Sequence, residues 1–155
     1  MTKHMRSLLA FDYQNVKGSR LLRHALEHRE GQRGFVGYDF NPDASSSIQY
    51  DIEDSTLTLF TDGIVVPKGA DSVGVTIVSL AFDFETGAAL LRESDKHFFK
   101  VNSVEKVLRF EVDELEDRIG VLFTILVVDF YQNNDGGFVP MDVDVDKTVL
   151  VVDVG

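Results

Sequence analysis

The chain has 155 residues, 26 Asp/Glu against 15 Lys/Arg, a net charge of −11 and no cysteine. That length fits one domain with a core large enough to fold without a staple. The missing cysteine excludes disulfides, thiolate catalysis and Cys-based metal sites, and fits a reducing compartment.

The net charge conceals a split. Residues 1–33 carry seven Lys/Arg and three Asp/Glu, a net of +4, with three of the four histidines. Residues 34–155 carry eight Lys/Arg against 23 Asp/Glu, a net of −15. The acidic body repels phosphate backbones, so no nucleic-acid partner is expected. The first twelve residues hold only a four-residue apolar run before Asp12, too short for a signal peptide. The longest apolar stretch, around Gly120–Val128, falls far short of the roughly 20 residues of a membrane helix.

In chain order, Thr2–Phe11 reads as a short helix with Met5, Leu8 and Leu9 on one stripe, and Asn15–Gly18 breaks it. Ser19–Arg29 reads as a second helical piece, with Ser19 as N-cap and an apolar stripe of Leu21, Leu22, Ala25 and Leu26. Both are too short to persist alone and need a surface to dock on.

From Gly34 the pattern turns to strands. Phe35–Phe40 alternates weakly up to the Asn41-Pro-Asp43 turn, and Ile48, Tyr50 and Ile52 alternate cleanly. Leu57 and Leu59 repeat that pattern, and a loop at Pro67–Asp71 follows. Val73, Val75 and Ile77 occupy one parity, whereas Leu80, Phe82 and Phe84 occupy the other. Cover on both faces explains that switch, as does a bulge near Val78–Ser79, which is the favoured reading. Glu85-Thr-Gly87 is a hairpin turn into Ala88–Leu91, and Phe98–Val101 and Val107–Val112 are further strands. The acid-rich Glu111–Asp117 run reads as a solvated loop. Gly120–Gln132 is apolar on both parities, so it must be central. Asn133–Gly137 returns the chain through Phe138–Met141, and Thr148–Val154 closes it.

Seven to nine short strands without a βαβ alternation predict a mainly β fold. The expected form is an antiparallel β-sandwich, Ig- or fibronectin-like, over 34–155, with a short basic helical N-terminal element over 1–33. A closed barrel is the alternative.

Candidate chemistry is sparse. Asp142, Asp144 and Asp146, spaced by two, are a weak calcium candidate. The sixth and twelfth positions of an EF-hand loop would be Lys147 and Asp153, neither the required type, and an exposed strand edge is the plainer reading. Asp83 and Asp129 each lie among aromatic strand residues and would make an acid–base pair only if neighbouring strands brought them together; the plainer reading has them facing solvent near a strand end or bonded to a turn backbone. His24 and His28 have zinc-compatible i, i+4 spacing without a third ligand, and His97 reads as a surface residue. No nucleophile elbow and no phosphate cradle occurs. Twelve Phe and four Tyr without Trp suit a core better than a glycan platform, for which Tyr13, Tyr38, Tyr50 and Tyr131 would be the candidates. The expected catalytic set and cofactor set are therefore empty.

Several segments together resemble an uncharacterised family of Bacteroidota proteins. They are Val16–Arg20, Gly34–Asn41, Pro67–Asp71, Phe82–Gly87 and Gly120–Gln132, in that order. Family members carry an additional segment ahead of this region, so the resemblance implies a shortened version or a fragment of the longer type. It implies no catalytic residue, cofactor or substrate, and favours an accessory or structural role. The expected function is a non-enzymatic structural or interaction protein, an assembly subunit pairing with copies of itself, for which a phage or mobile-element origin would suit. The alternative is a ligand- or glycan-binding module using calcium.

Overall fold

The structure, a computed structural model, describes residues 34–155 apart from 43, 45, 103, 104, 119 and 142–146. The N-terminal element, with His24, His28 and Tyr13, and the Asp142, Asp144 and Asp146 triplet thus lie outside the described residues.

The described chain is mainly β. Its strands are β1 (Gln49–Glu53), β2 (Thr56–Phe60), β3 (Ser72–Phe82), β4 (Ala89–Glu93), β5 (His97–Lys100), β6 (Val107–Glu111), β7 (Val121–Asn134), β8 (Gly137–Pro140) and β9 (Thr148–Val154). A 3-10 turn at Thr61–Gly63 follows β2. All pairings are antiparallel, in a three-stranded sheet β1-β2-β6 and a six-stranded sheet built on β3 and β7. On the free side of β3, β5 pairs with the first part of the strand and β4 with the last. On the free side of β7, β8 pairs with its end and β9 with its middle.

β3 and β7 are rich in β-branched residues, the side chains that fit a pleated surface covered on both sides. Their ladder runs unbroken from Ser72↔Tyr131 to Phe82↔Val121. The bulge expected at Val78–Ser79 is therefore absent. The parity switch instead marks a change in which face of a regular strand carries the large side chains. The irregularity in this sheet lies between β7 and β9, at Thr124/Ile125.

On one face, Val73, Val75, Ile77, Leu126 and Val128 meet Leu57, Leu59 and Leu108 of the smaller sheet in a shared core. On the other, Val78, Leu80, Phe82, Phe123, Ile125, Val127, Val149 and Val151 form a second cluster against which Phe35, Val36 and Phe40 pack. The segment expected as a strand over Phe35–Phe40 is no named strand. A helical turn at 34–35 gives way to a single bridge, Asp39↔Leu150, and Phe40 N–H donates to Val149 C=O at 2.9 Å. Gly37 N–H donates to Val151 C=O and Val151 N–H to Tyr38 C=O, and the aromatics pack as rings: Phe35 meets Phe123 edge-on, with centroids 5.5 Å apart.

Turn chemistry follows the sequence closely. The two-residue hairpin loops Asp54–Ser55 and Asp135–Gly136 have positive φ at both positions, the conformation that matches strand twist. Among the described residues, no helix is long and apolar enough to cross a membrane.

Candidate functional site

One face of the β3–β7 ladder changes character along its length. Past Val78 and Val127 it presents Thr76, Gly74 and Ser72 on β3 and Asp129 and Tyr131 on β7. Asp129 and Tyr131 are two residues apart on one strand, so they share this face. Lys96, in the loop between β4 and β5, reaches over Gly74 to meet them.

The three side chains form a closed triangle. Lys96 Nζ donates to Asp129 Oδ2 at 2.9 Å and also to the Tyr131 hydroxyl. The Tyr131 hydroxyl donates to the same Oδ2 at 2.8 Å. The ammonium also lies 4.8 Å from the Tyr131 ring centroid. Gly74 makes this possible: a Cβ there would come within 2.7 Å of Asp129 Oδ1 and Tyr131 Cε2 and 2.9 Å of Lys96 Cδ. Above the triangle, Phe98 of β5 stacks on Phe138 of β8 with centroids 3.9 Å apart and meets Tyr131 edge-on. This pair ties the two outer strands of the sheet across the top of the site.

Electrostatics hold the protons of Lys96 and Tyr131 in place. Burial alone would lower the Lys96 pKa, but hydrogen bonds to Tyr131 and Asp129 outweigh it and hold it above the ordinary lysine value. Burial pushes the Tyr131 phenol up. The Lys96 hydrogen bond opposes that, Asp129 adds to it, and the net shift is upward. A lysine held charged and a phenol held protonated are both further from general-base duty near neutral pH. Two buried oxygens on this face, Asp129 Oδ1 and Thr76 Oγ1, have no hydrogen-bond partner among the described residues.

The Asp83–Asp129 pair does not assemble. Asp83 follows the end of β3, whereas Asp129 lies opposite Gly74. Those positions are nine residue steps apart along the strand direction, roughly 30 Å. Asp83 instead organises the β3–β4 turn, accepting Glu85 N–H and the Thr86 hydroxyl at 2.9 Å each. His97 is exposed, with its ring edge-on to Phe110 at 5.8 Å. The described tyrosines do not gather into a platform. Tyr38 stacks on Phe35 and Tyr50 is half-buried in the smaller sheet, where burial and the Asp153 charge raise its pKa. Among the described residues, no group of three or more His, Asp or Glu is placed to hold a metal ion.

Asp83 thus takes the plainer role, bonded to a turn backbone, whereas Asp129 meets Lys96 and Tyr131, which the sequence does not single out as its partners. The i, i+2 spacing to Tyr131 was the available signal, whereas the cation from Lys96 comes from a polar loop with no pattern of its own.

Compared with known protein families, curated proteins and solved structures, the chain matches none. The resemblance in segment order described above rests on the sequence alone.

Proposed function

We propose that the chain is a non-enzymatic protein-interaction domain, an antiparallel β-sandwich that assembles with copies of itself. Of the two layouts the sequence leaves open, a sandwich is favoured by two separate sheets that share one core, since a barrel would close a single sheet on itself. A non-enzymatic role is supported by the Lys96–Asp129–Tyr131 triangle, in which Lys96 Nζ, Asp129 Oδ2 and the Tyr131 hydroxyl are bonded to one another.

The observation that carries the interaction reading is a sheet face with exposed apolar side chains. The outer side of β1-β2-β6 exposes Phe60 and Val107, direct cross-strand partners, on a strongly acidic body. A basic segment and an acidic body in one chain supply complementary charge for association between copies. Light scattering on the full chain tests this. Mass should rise with concentration and fall as salt screens the attraction, and removal of residues 1–30 should leave a monomer. A monomer at every concentration and salt would sink the proposal.

A further inference from the structure

The outer face of the three-stranded sheet is ordered in rows. Tyr50, Leu59 and Leu108 point inward in one row, and Ile52, Leu57 and Phe110 in the next. The alternating residues face out as Gln49–Phe60–Val107, Asp51–Thr58–Arg109 and Glu53–Thr56–Glu111. The first row holds an apolar pair, with Phe60 and Val107 each 37% exposed. The next two set Asp51, Glu53 and Glu111 against Arg109 alone. Rows two residues apart lie roughly 7 Å from one another, so the face passes from apolar to acidic within roughly 14 Å.

A surface of that kind fits a segment with an apolar stripe flanked by cations. Residues 1–33 have that composition, with Leu21, Leu22, Ala25 and Leu26 interleaved with Arg20, Arg23 and Arg29. Direct pairing of one β1 edge with another is disfavoured, because Asp51 and Glu53 would be brought close to their own copies. Charge complementarity instead favours a contact that joins two different surfaces. We infer that the outer face of β1-β2-β6 receives residues 1–33 of a second copy, with Phe60 and Val107 taking apolar side chains and Asp51, Glu53 and Glu111 taking arginines. This rests on the assembly reading.

A second copy is favoured over the same chain by where the segment joins the body. Phe35, Val36 and Phe40 pack on the face of the six-stranded sheet turned away from the smaller sheet. Two sheet layers, roughly 20 Å, separate that entry point from the outer face. The chain's own segment would have to wrap around an edge, and a neighbour's would not. Such a heterologous contact either closes into a ring or continues into a filament.

Sedimentation of the full chain, the triple variant Asp51→Lys/Glu53→Lys/Glu111→Lys and the single variant Phe60→Ser tests the assignment, with Glu93→Lys on the edge strand β4 as a control. The triple variant should weaken association about tenfold and flatten its salt dependence. Three reversals of +2 each move the net charge from −11 to −5, which relieves self-repulsion, so weaker association cannot be a net-charge effect. Phe60→Ser should weaken association at all salt concentrations, and Glu93→Lys should not weaken it. Adding Arg20→Glu and Arg23→Glu to the triple variant should restore association. Unchanged association in the triple variant, combined with its loss on removal of residues 1–30, overturns this surface and leaves the assembly reading standing. A wild-type chain that is monomeric throughout overturns both, and a cross-link between residues 1–33 and this face within one chain overturns the second-copy assignment.

Discussion

The two ends of the β3–β7 ladder share one backbone register and one face of one sheet, yet they are held by different physics. At one end Val78, Leu80, Phe82, Phe123 and Ile125 are almost wholly buried and need only shape and volume to match. At the other, Ser72, Thr76 and Tyr131 are also buried, but the Lys96–Asp129–Tyr131 triangle must satisfy charge and hydrogen bonding together. The apolar end tolerates change in proportion to the space it leaves. The polar end depends on every member, because an ammonium or carboxylate left without its partner pays its desolvation alone.

The widest separation between the ends should come from truncation. Phe123→Ala or Leu80→Ala opens a cavity among residues that are 0% exposed and should cost about 3–5 kcal/mol in urea unfolding. That loss should be independent of pH. A pH-dependent loss would mean that the two ends are coupled. Gly74→Ala forces a Cβ into the triangle and should cost about 1–3 kcal/mol, although alanine is normally the better strand residue. A neutral Gly74→Ala would show that the side chains above it are free to move aside. Lys96→Met keeps the aliphatic stem but leaves Asp129, with 15% of its side chain exposed, without its cation, and should cost about 1–3 kcal/mol.

The smallest effect is the most specific to the polar end. Both Lys96 and Tyr131 have folded-state pKa values raised above the ordinary 10.5 and 10.0. Each proton is therefore held more tightly in the folded state. Their contribution is complete below about pH 10 and is lost as pH climbs through the raised values. Unfolding free energy measured from pH 8 to 11.5 should decline at the alkaline end, and less steeply in Lys96→Met/Tyr131→Phe. An equally steep decline in that double variant would assign the alkaline loss elsewhere.

Strand positions were readable because burial on one face imposes period two, as at Tyr50–Ile52 and Leu57–Leu59. Turns were readable because Asp135–Gly136 and Glu85-Thr-Gly87 have few alternatives to bending. The Val73–Phe84 segment misled because a strand covered on both faces has no period to read. An internal bulge and a regular strand with large residues moved to the other face leave the same pattern of letters. Asp129 drew notice for its setting, yet pairing it with Lys96 required a loop to cross Gly74, which no local pattern encodes.

By itself, the sequence determined a β-rich body with hairpin turns in place, one central strand apolar on both parities, and a charge reversal at residue 33. Those properties depend on neighbours along the chain and on burial averaged over a strand. Only the tertiary structure decided that β3 stays regular, that Asp83 and Asp129 lie far apart, and that Lys96, Asp129 and Tyr131 meet above a glycine. It also set Phe60 beside Val107, both exposed. Such contacts depend on register between segments distant in sequence, which follows from how two sheets fill a shared core.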